Sequence, residues 1–284
     1  MDAAPGEPAS DLGADLRRSD PDRYLSILYA PEEHRAALRA LYRFNAEVAS
    51  IRERIREPLP GEIRIQWWRD ALAGEAEGVR SHPLAAGLID VIDRFALPRD
   101  AFDRYLEARI FDLYDDPMPS RTDLEGYCGE TASALIQFAA LILEPEAAPA
   151  FAEAAGHAGC AQAIAGLLRL LPIHLRRGQC YVPRDLLSAA GTSPQGLIAG
   201  EDRPAALRAI AAMVALGKDH QAAFESAARA LPPTLRPAFL PAGLARAYLD
   251  RIAAAPEAAL DRVIDIGAIR RHWLLLRHAS RGWG

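Results

Sequence analysis

Apolar residues recur along this chain at spacings of three and four, the period of a helix buried on one face. From Pro31, the positions Ala37, Leu38, Leu41, Tyr42, Phe44, Val48, Ile51 and Ile55 form such a stripe, and Pro58, Pro60 and Gly61 end it. A second stripe runs through Ile63, Ile65, Trp67, Trp68 and Leu72 and stops near Gly74. Ser19 or Asp20 stands where it can cap a helix entered through Pro21. The same style predicts helices over 83–96, 98–113, 121–143, 146–171, 202–230, 241–253 and 257–280, each bounded by Pro or Gly. No segment alternates convincingly over a strand length. Residues 1–19 are small and polar with little to bury and read as a flexible tail. The expectation for 20–284 is one all-α domain of long packed helices, with alanine favouring helix and close approach.

Composition narrows the function classes. With 284 residues, half of them apolar, the chain can bury a large core, and a charged fraction of 25% excludes wholesale disorder. A net charge of −5 argues against a nucleic-acid partner. No run reaches the length of a spanning helix, and the N-terminus lacks a basic start followed by an apolar core. Three scattered cysteines suit a reducing compartment, so a cytoplasmic location is expected. Of 33 basic residues only Lys218 is lysine; the rest are arginines, whose planar forks suit phosphate and carboxylate.

Two clusters carry the candidate chemistry. In residues 45–72, arginines 52, 54, 56, 64 and 69 alternate with Glu47, Glu53, Glu57 and Glu62. That pattern fits either a solvated face laced with weak ion pairs or a ligand wall. Trp67 and Trp68 point about 100° apart, so only one of them faces the core squarely, and the other packs on a neighbouring helix or a ligand. In residues 157–187, an apolar helix is disrupted by Pro172 and followed by the basic turn Arg176, Arg177, Gly178, where guanidinium groups can grip an anion.

These clusters carry a family resemblance. Residues 41–55 (LYRFNAEVASIRERI) resemble the first signature helix of the squalene/phytoene synthase family, a tyrosine-x-phenylalanine step followed by an aspartate-rich stretch. Residues 176–187 (RRGQCYVPRDLL) resemble its second signature, and residues 112–138 are similar to its middle segment. The resemblance covers roughly residues 20–280, in order. It implies an isoprenoid-synthase-type helical bundle around a central cavity, in which two aspartate-rich helices hold Mg²⁺ against prenyl diphosphates. Hard carboxylate oxygens suit that ion, which stabilises charge on the departing diphosphate.

The metal positions depart from the pattern. The first aspartate stretch falls on Ala49, Ser50, Ile51, Arg52 and Glu53, and the acidic positions of the second become Leu170, Ile173 and His174. Only Glu53 keeps a carboxylate, and neutral imidazole is a poor match for so hard an ion. Asn45, Glu47, Gly61, Glu62, Ile63, Arg64, Gln66, Trp67, Trp68 and Arg69 resemble a branch that includes bacterial relatives of a mitochondrial complex I assembly factor. The resemblance therefore implies a catalytically degenerate member acting as a binding or assembly scaffold, with no cofactor and with respiratory-complex subunits, a prenyl diphosphate or a lipid as partners. Its candidate anion wall is Arg52, Arg56, Arg64, Arg169, Arg176 and Arg177, with Glu53 beside it and Tyr42, Trp67, Trp68 and Tyr181 lining it. The alternative is a head-to-head prenyl transferase recruiting Mg²⁺ through Glu47, Glu53, Asp112 or Asp115. A third class is a lipid carrier.

Lesser signals weigh less. Asp112, Asp115 and Asp116 precede Pro117 and Pro119 and read as a polar helix end. His157, Cys160, His174 and Cys180 lack zinc-site spacing, and no nucleophile elbow or phosphate-cradling glycine loop occurs. The final helix, residues 268–281, sets Trp273 and three leucines among arginines 270, 271, 277 and 281. It either packs its leucines inward or lies peripherally on the inner membrane face.

Overall fold

The structure, a computed structural model, describes residues 16–283. A helical turn at 16–19 leads to α1 (Pro21–Ile27), α2 (Glu32–Ala49), α3 (Ile51–Arg54), α4 (Pro58–Ala73), α5 (Pro83–Arg94) and α6 (Arg99–Ile110). There follow α7 (Arg121–Cys128), a π-helical turn (Gly129–Ser133), α8 (Ala134–Leu143), α9 (Ala152–Arg169) and α10 (Leu171–Arg176). The chain ends through α11 (Arg184–Ala189), α12 (Pro194–Ala199), α13 (Arg203–Ala227), α14 (Arg236–Gly243), α15 (Ala245–Ala254), α16 (Pro256–Asp261) and α17 (Ala268–Arg281). No strand occurs among the described residues.

Local chemistry explains most boundaries. Asp20 caps α1, its carboxylate accepting the Arg23 amide at 3.1 Å. Gly74, at φ 85°, ends α4 in the left-handed conformation that glycine adopts freely. Pro172 falls in the first turn of α10, where its missing N–H costs nothing, so the break expected there is real.

Four boundaries differ from the periodicity. Residues 16–19 are helical and Leu16 is buried, so the tail expected over 1–19 is too long; its residues 1–15 lie outside those described. The long first stripe is interrupted at Ser50, whose hydroxyl donates to the Glu47 carbonyl at 2.8 Å, and α3 follows as a separate short helix. The helix expected from 241 begins at Arg236, because Pro241 sits inside α14 without ending it. The helix expected over 257–280 is two, α16 and α17. Buried Ile264 and Ile266 flank exposed Asp265, an alternation that holds 262–267 extended, and Gly267 at φ 77° turns the chain into α17.

The core runs as one cluster from Leu16 to Trp283. The stripe residues Leu38, Leu41, Phe44 and Val48 face it, and Trp68 meets Phe44 edge-on at 5.1 Å. Each such side chain contributes about 1.5–3 kcal/mol through burial. At the centre α9 packs along α13, α15 and the π-turn, using a face of Ala154, Ala155, Ala158, Gly159, Ala161 and Ala165. Gly159 is required there. A Cβ on it would meet the Ser133 backbone, with Cα only 2.5 Å away.

This crossing yields a stability test. Gly159→Ala forces two backbones apart and is expected to cost about 1–3 kcal/mol in urea unfolding. Gly156→Ala, on the same helix with nothing within 4 Å of the new methyl, is expected to be neutral or to stabilise by up to about 1 kcal/mol.

Candidate ligand cavity

A cavity of about 560 Å³ opens among α1, the end of α2, α3, the end of α6, the α7–π segment, α9, α10, the strap 177–181 and the α14–α15 junction. One wall carries Ala46, Ala49, Ser50, Arg52 and Glu53, presented by the turn that Ser50 breaks. A second carries Gln162, Gly166, Arg169, Leu170 and His174, presented where Pro172 offsets α10 from α9. Arg177 spans between them, 3.4 Å from the Glu53 carboxylate. The positions that match the family's acidic stretches therefore do face the cavity at Ala49, Ser50, Arg52, Glu53, Leu170 and His174, and five of those six lack a carboxylate.

Beneath these walls lies a polar hub centred on Asp112. Its carboxylate accepts from the Tyr127 hydroxyl at 2.8 Å, from the Tyr181 hydroxyl at 2.9 Å and from Arg109 Nη1 at 3.0 Å. Arg109 also donates to the Tyr127 hydroxyl at 3.0 Å and to Asn45 Oδ1 at 3.3 Å, and Tyr105 donates to that same oxygen at 3.0 Å. Burial pushes the Tyr127 and Tyr181 phenols well above the ordinary tyrosine range, reinforced by the neighbouring Asp112 charge, so both remain donors. Burial alone would lower Arg109; the surrounding phenols and Asp112 outweigh it, and the guanidinium stays cationic.

The charges lining the cavity are five arginines (23, 52, 109, 169, 177) and four carboxylates (Asp20, Asp22, Glu53, Asp112). Each carboxylate is already engaged: Asp20 by Arg23 at 2.6 Å, Asp22 by Arg271 at 2.6 Å, Glu53 by Arg177 and Asp112 by the hub. Arg169 differs. Its Nε donates to the Ile264 carbonyl at 3.0 Å and its plane lies 4.0 Å over the Tyr248 ring, with no ion pair among the described residues. His174 is held down to about 4, chiefly by burial, opposed by Asp112 and aided by Arg177, so it is a neutral imidazole at physiological pH. Among the described residues no three His, Cys, Asp or Glu side chains assemble into a metal-holding group. This donor set does not match Mg²⁺, which takes carboxylates free to turn toward it.

Of the eleven residues the sequence nominates, Arg52, Glu53, Arg169, Arg177 and Tyr181 line the cavity. The other six do not. Trp68 is wholly buried against Phe44, and Tyr42 is buried in the core, its phenol pushed up to about 12 by burial. Trp67 packs half-buried on Trp68 and His82, with Arg64 over its ring at 5.3 Å. Arg64 itself pairs with Glu47 at 3.2 Å, and Arg56 and Arg176 are exposed away from the cavity. Apart from Asn45, which joins the hub, the branch-type residues lie outside the cavity lining, most of them engaged in packing and ion pairs. Glu47 ties α2 to Arg64 of α4, Arg69 bridges to Asp103 at 2.7 Å and Glu107 at 2.5 Å on α6, and Glu62 accepts from Tyr114. Gly61 lets α4 approach Ile55 and Leu113, whose methyls would lie 2.6 and 2.7 Å from a Cβ.

For the Mg²⁺ alternative, Glu47 and Asp115 are absent from the lining, Asp115 holding Arg52 at 2.9 Å. Asp112, read from sequence as a polar helix end, is instead the hub. Sequence reading also missed Arg23, Asn45, Arg109, Tyr127, Gln162, Gln179 and Tyr248. Asn45 beside the Tyr-x-Phe step and Tyr127 within the middle segment were signals already quoted, though their partnership lies in the fold.

Comparison with known proteins agrees with this geometry. The model of the squalene/phytoene synthase family matches residues 16–274. The chain belongs to the squalene/phytoene synthase family. Complex I assembly factor 6 of Rattus norvegicus is 30% identical over 88% of this chain and 76% of its own length. Phytoene synthase of Thermus thermophilus is 30% identical over 66% of this chain and 64% of its own length. The fold matches a dehydrosqualene synthase crystal structure with a TM-score of 0.76, 16% identity and 95% of each chain covered. The all-helical isoprenoid-synthase architecture is therefore the observed one.

Two measurements probe the cavity's electrostatics. Asp112→Asn strands the buried Arg109 charge and is expected to cost about 3–5 kcal/mol in thermal or urea unfolding. Asp115→Asn breaks only a half-exposed pair and should stay below about 1 kcal/mol. The depressed His174 group leaves the unfolded chain binding a proton below its ordinary 6.5 while the folded chain binds none until about 4. Its contribution is complete above pH 6.5 and is lost as pH falls toward 4. Urea unfolding at neutral pH and near pH 5 should show wild type losing about 1–2 kcal/mol more than His174→Gln.

Proposed function

We propose that this chain is a catalytically degenerate member of the squalene/phytoene synthase family that acts as a binding or assembly scaffold in respiratory complex I biogenesis. Its central cavity would be kept as a metal-free, arginine-lined pocket for an anionic amphiphile such as a prenyl diphosphate or a lipid. One observation carries the reading. Ala49, Ser50, Leu170 and His174 stand where metal-binding carboxylates would be needed, and every carboxylate lining the cavity is engaged by arginine or tyrosine. The similarity to a complex I assembly factor supports the assembly role. Arg52, Arg169 and Arg177 supply fork-shaped donors for a phosphate group, while Ala163, Leu167, Pro241 and Ala245 supply an apolar lining.

The test is incubation of the full chain with farnesyl and geranylgeranyl diphosphate, with and without Mg²⁺. No pyrophosphate above the blank is expected; clear Mg²⁺-dependent release would overturn the reading in favour of a prenyl transferase. Thermal stabilisation by either diphosphate should persist in EDTA, and Arg169→Gln should weaken it about tenfold in apparent affinity. Deleting the gene in its own host should lower assembled complex I on native gels, and unchanged levels would remove the assembly role.

A further inference from the structure

Helix α17 is built with two unlike faces. Leu275 and His278 turn inward, His278 stacking on Trp283 at 5.3 Å, and Arg236 donates at 3.0 Å to the Ala279 and Ser280 carbonyls at the helix end. The outer face is apolar where a soluble surface would be polar: Ile269 is 89% exposed, Trp273 58% and Leu276 58%. These three fall within an arc of about 60° on the helix, since each residue advances about 100°. Val263, in the loop before the helix, is 42% exposed. Ile269 and Trp273 border a shallow apolar hollow with Ile266 and Ala268.

Charge decides what covers this stripe. Arg270, Arg277 and Arg281 lie together on the next sector of the helix, exposed and without an ion pair among the described residues. The helix contains no acidic residue, and the one cation that turns inward, Arg271, is committed to Asp22 and Asp265. The chain as a whole carries −5, so this local basic strip is set against the overall charge. A row of Ile, Trp and Leu beside a row of unpaired arginines matches an anionic lipid surface, where apolar side chains enter the headgroup boundary and guanidinium groups meet phosphate.

We propose that α17 docks this protein on an anionic bilayer surface through Ile269, Trp273 and Leu276, with Arg270, Arg277 and Arg281 engaging lipid headgroups. The inner side of the same helix abuts the cavity: Arg271 donates to Tyr248 at 3.1 Å and pairs with Asp22, both cavity residues. Docking thus holds the cavity wall close to the bilayer. The proposal goes beyond the assembly reading and stands independently of it.

The experiment is sedimentation of the full chain with vesicles of phosphatidylcholine alone or containing about 30% phosphatidylglycerol or cardiolipin. Binding to the anionic vesicles alone is expected, weakening several-fold from about 0.1 M to about 0.5 M salt. Ile269→Ser with Trp273→Ser and Leu276→Ser, all exposed changes verified by unchanged circular dichroism, should reduce binding about tenfold or more. Replacing the three arginines by Gln should remove the preference for anionic lipid. Trp273 gives a second readout: brominated lipid should quench the wild type more than Trp273→Phe. Absence of vesicle binding, or binding unchanged in both variants, overturns the proposal. So does burial of the stripe in a stable dimer seen by light scattering, which would mark a second copy as its occupant.

Discussion

The buried ion pair between Arg109 and Asp112 is the constraint on which the cavity rests. Their side chains are 16% and 13% exposed, so each charge would be costly alone. What makes the pair tolerable is complete engagement: two phenols and a guanidinium satisfy the carboxylate, while Asn45, Tyr105 and Tyr127 receive the remaining guanidinium bonds. Those partners come from α2, α6, α7 and the strap before α11. Gln179 adds a bond to the Asp112 carbonyl at 3.2 Å, and Met118 and Cys180 join backbones at 3.1 Å. One network therefore fixes the relative positions of four segments that border the cavity.

That engagement limits what the cavity can do. A carboxylate holding two phenols and an arginine cannot turn to a metal without releasing them, and the release would leave buried donors unsatisfied. The same holds more weakly at Glu53 and Asp20. Arg169 differs: it touches an aromatic face and a carbonyl and makes no direct ion pair among the described residues, while Asp22 acts on it only at longer range. The guanidinium of Arg169 thus keeps its two Nη groups free of any direct carboxylate contact among the described residues, unlike Arg23, Arg52, Arg109 and Arg177.

Legibility followed the range of the interactions. Helix type and most boundaries were readable because they rest on periodicity, caps and glycine conformation within a few residues, as at Asp20 and Gly74. The register of the family motifs was readable too: of the residues nominated from it, Arg52, Glu53, Arg169, Arg177 and Tyr181 stand in the cavity lining. Basic and aromatic character alone misled at Arg64, Trp67 and Trp68. The pattern established that the two tryptophans diverge by a helical step, yet not that α2 and α6 would occupy the face toward which Trp68 and Arg69 turn. Asp112 was hidden for the same reason, since its prolines speak of a chain leaving a helix, whereas its partners lie 15 and 69 residues away. The break between α16 and α17 shows the converse: Ile264 and Ile266 carry a two-residue period too short to outweigh the helical stripe around it.

The two arginines at the start of α17 show how a surface helix and an interior cavity are made one unit. Arg270 points outward unpaired, while Arg271, one residue on, is 11% exposed and holds Asp22 and Tyr248. Burial raises the Asp22 carboxyl above its usual range, and Arg271 is the principal group pulling it back. Swinging α17 away from the body would strip that counter-charge from a carboxylate 15% exposed and would also open the Leu275 and His278 contacts. The helix consequently meets any surface while still seated on the protein. Its outer residues are presented by a rigid platform whose other side is the cavity wall.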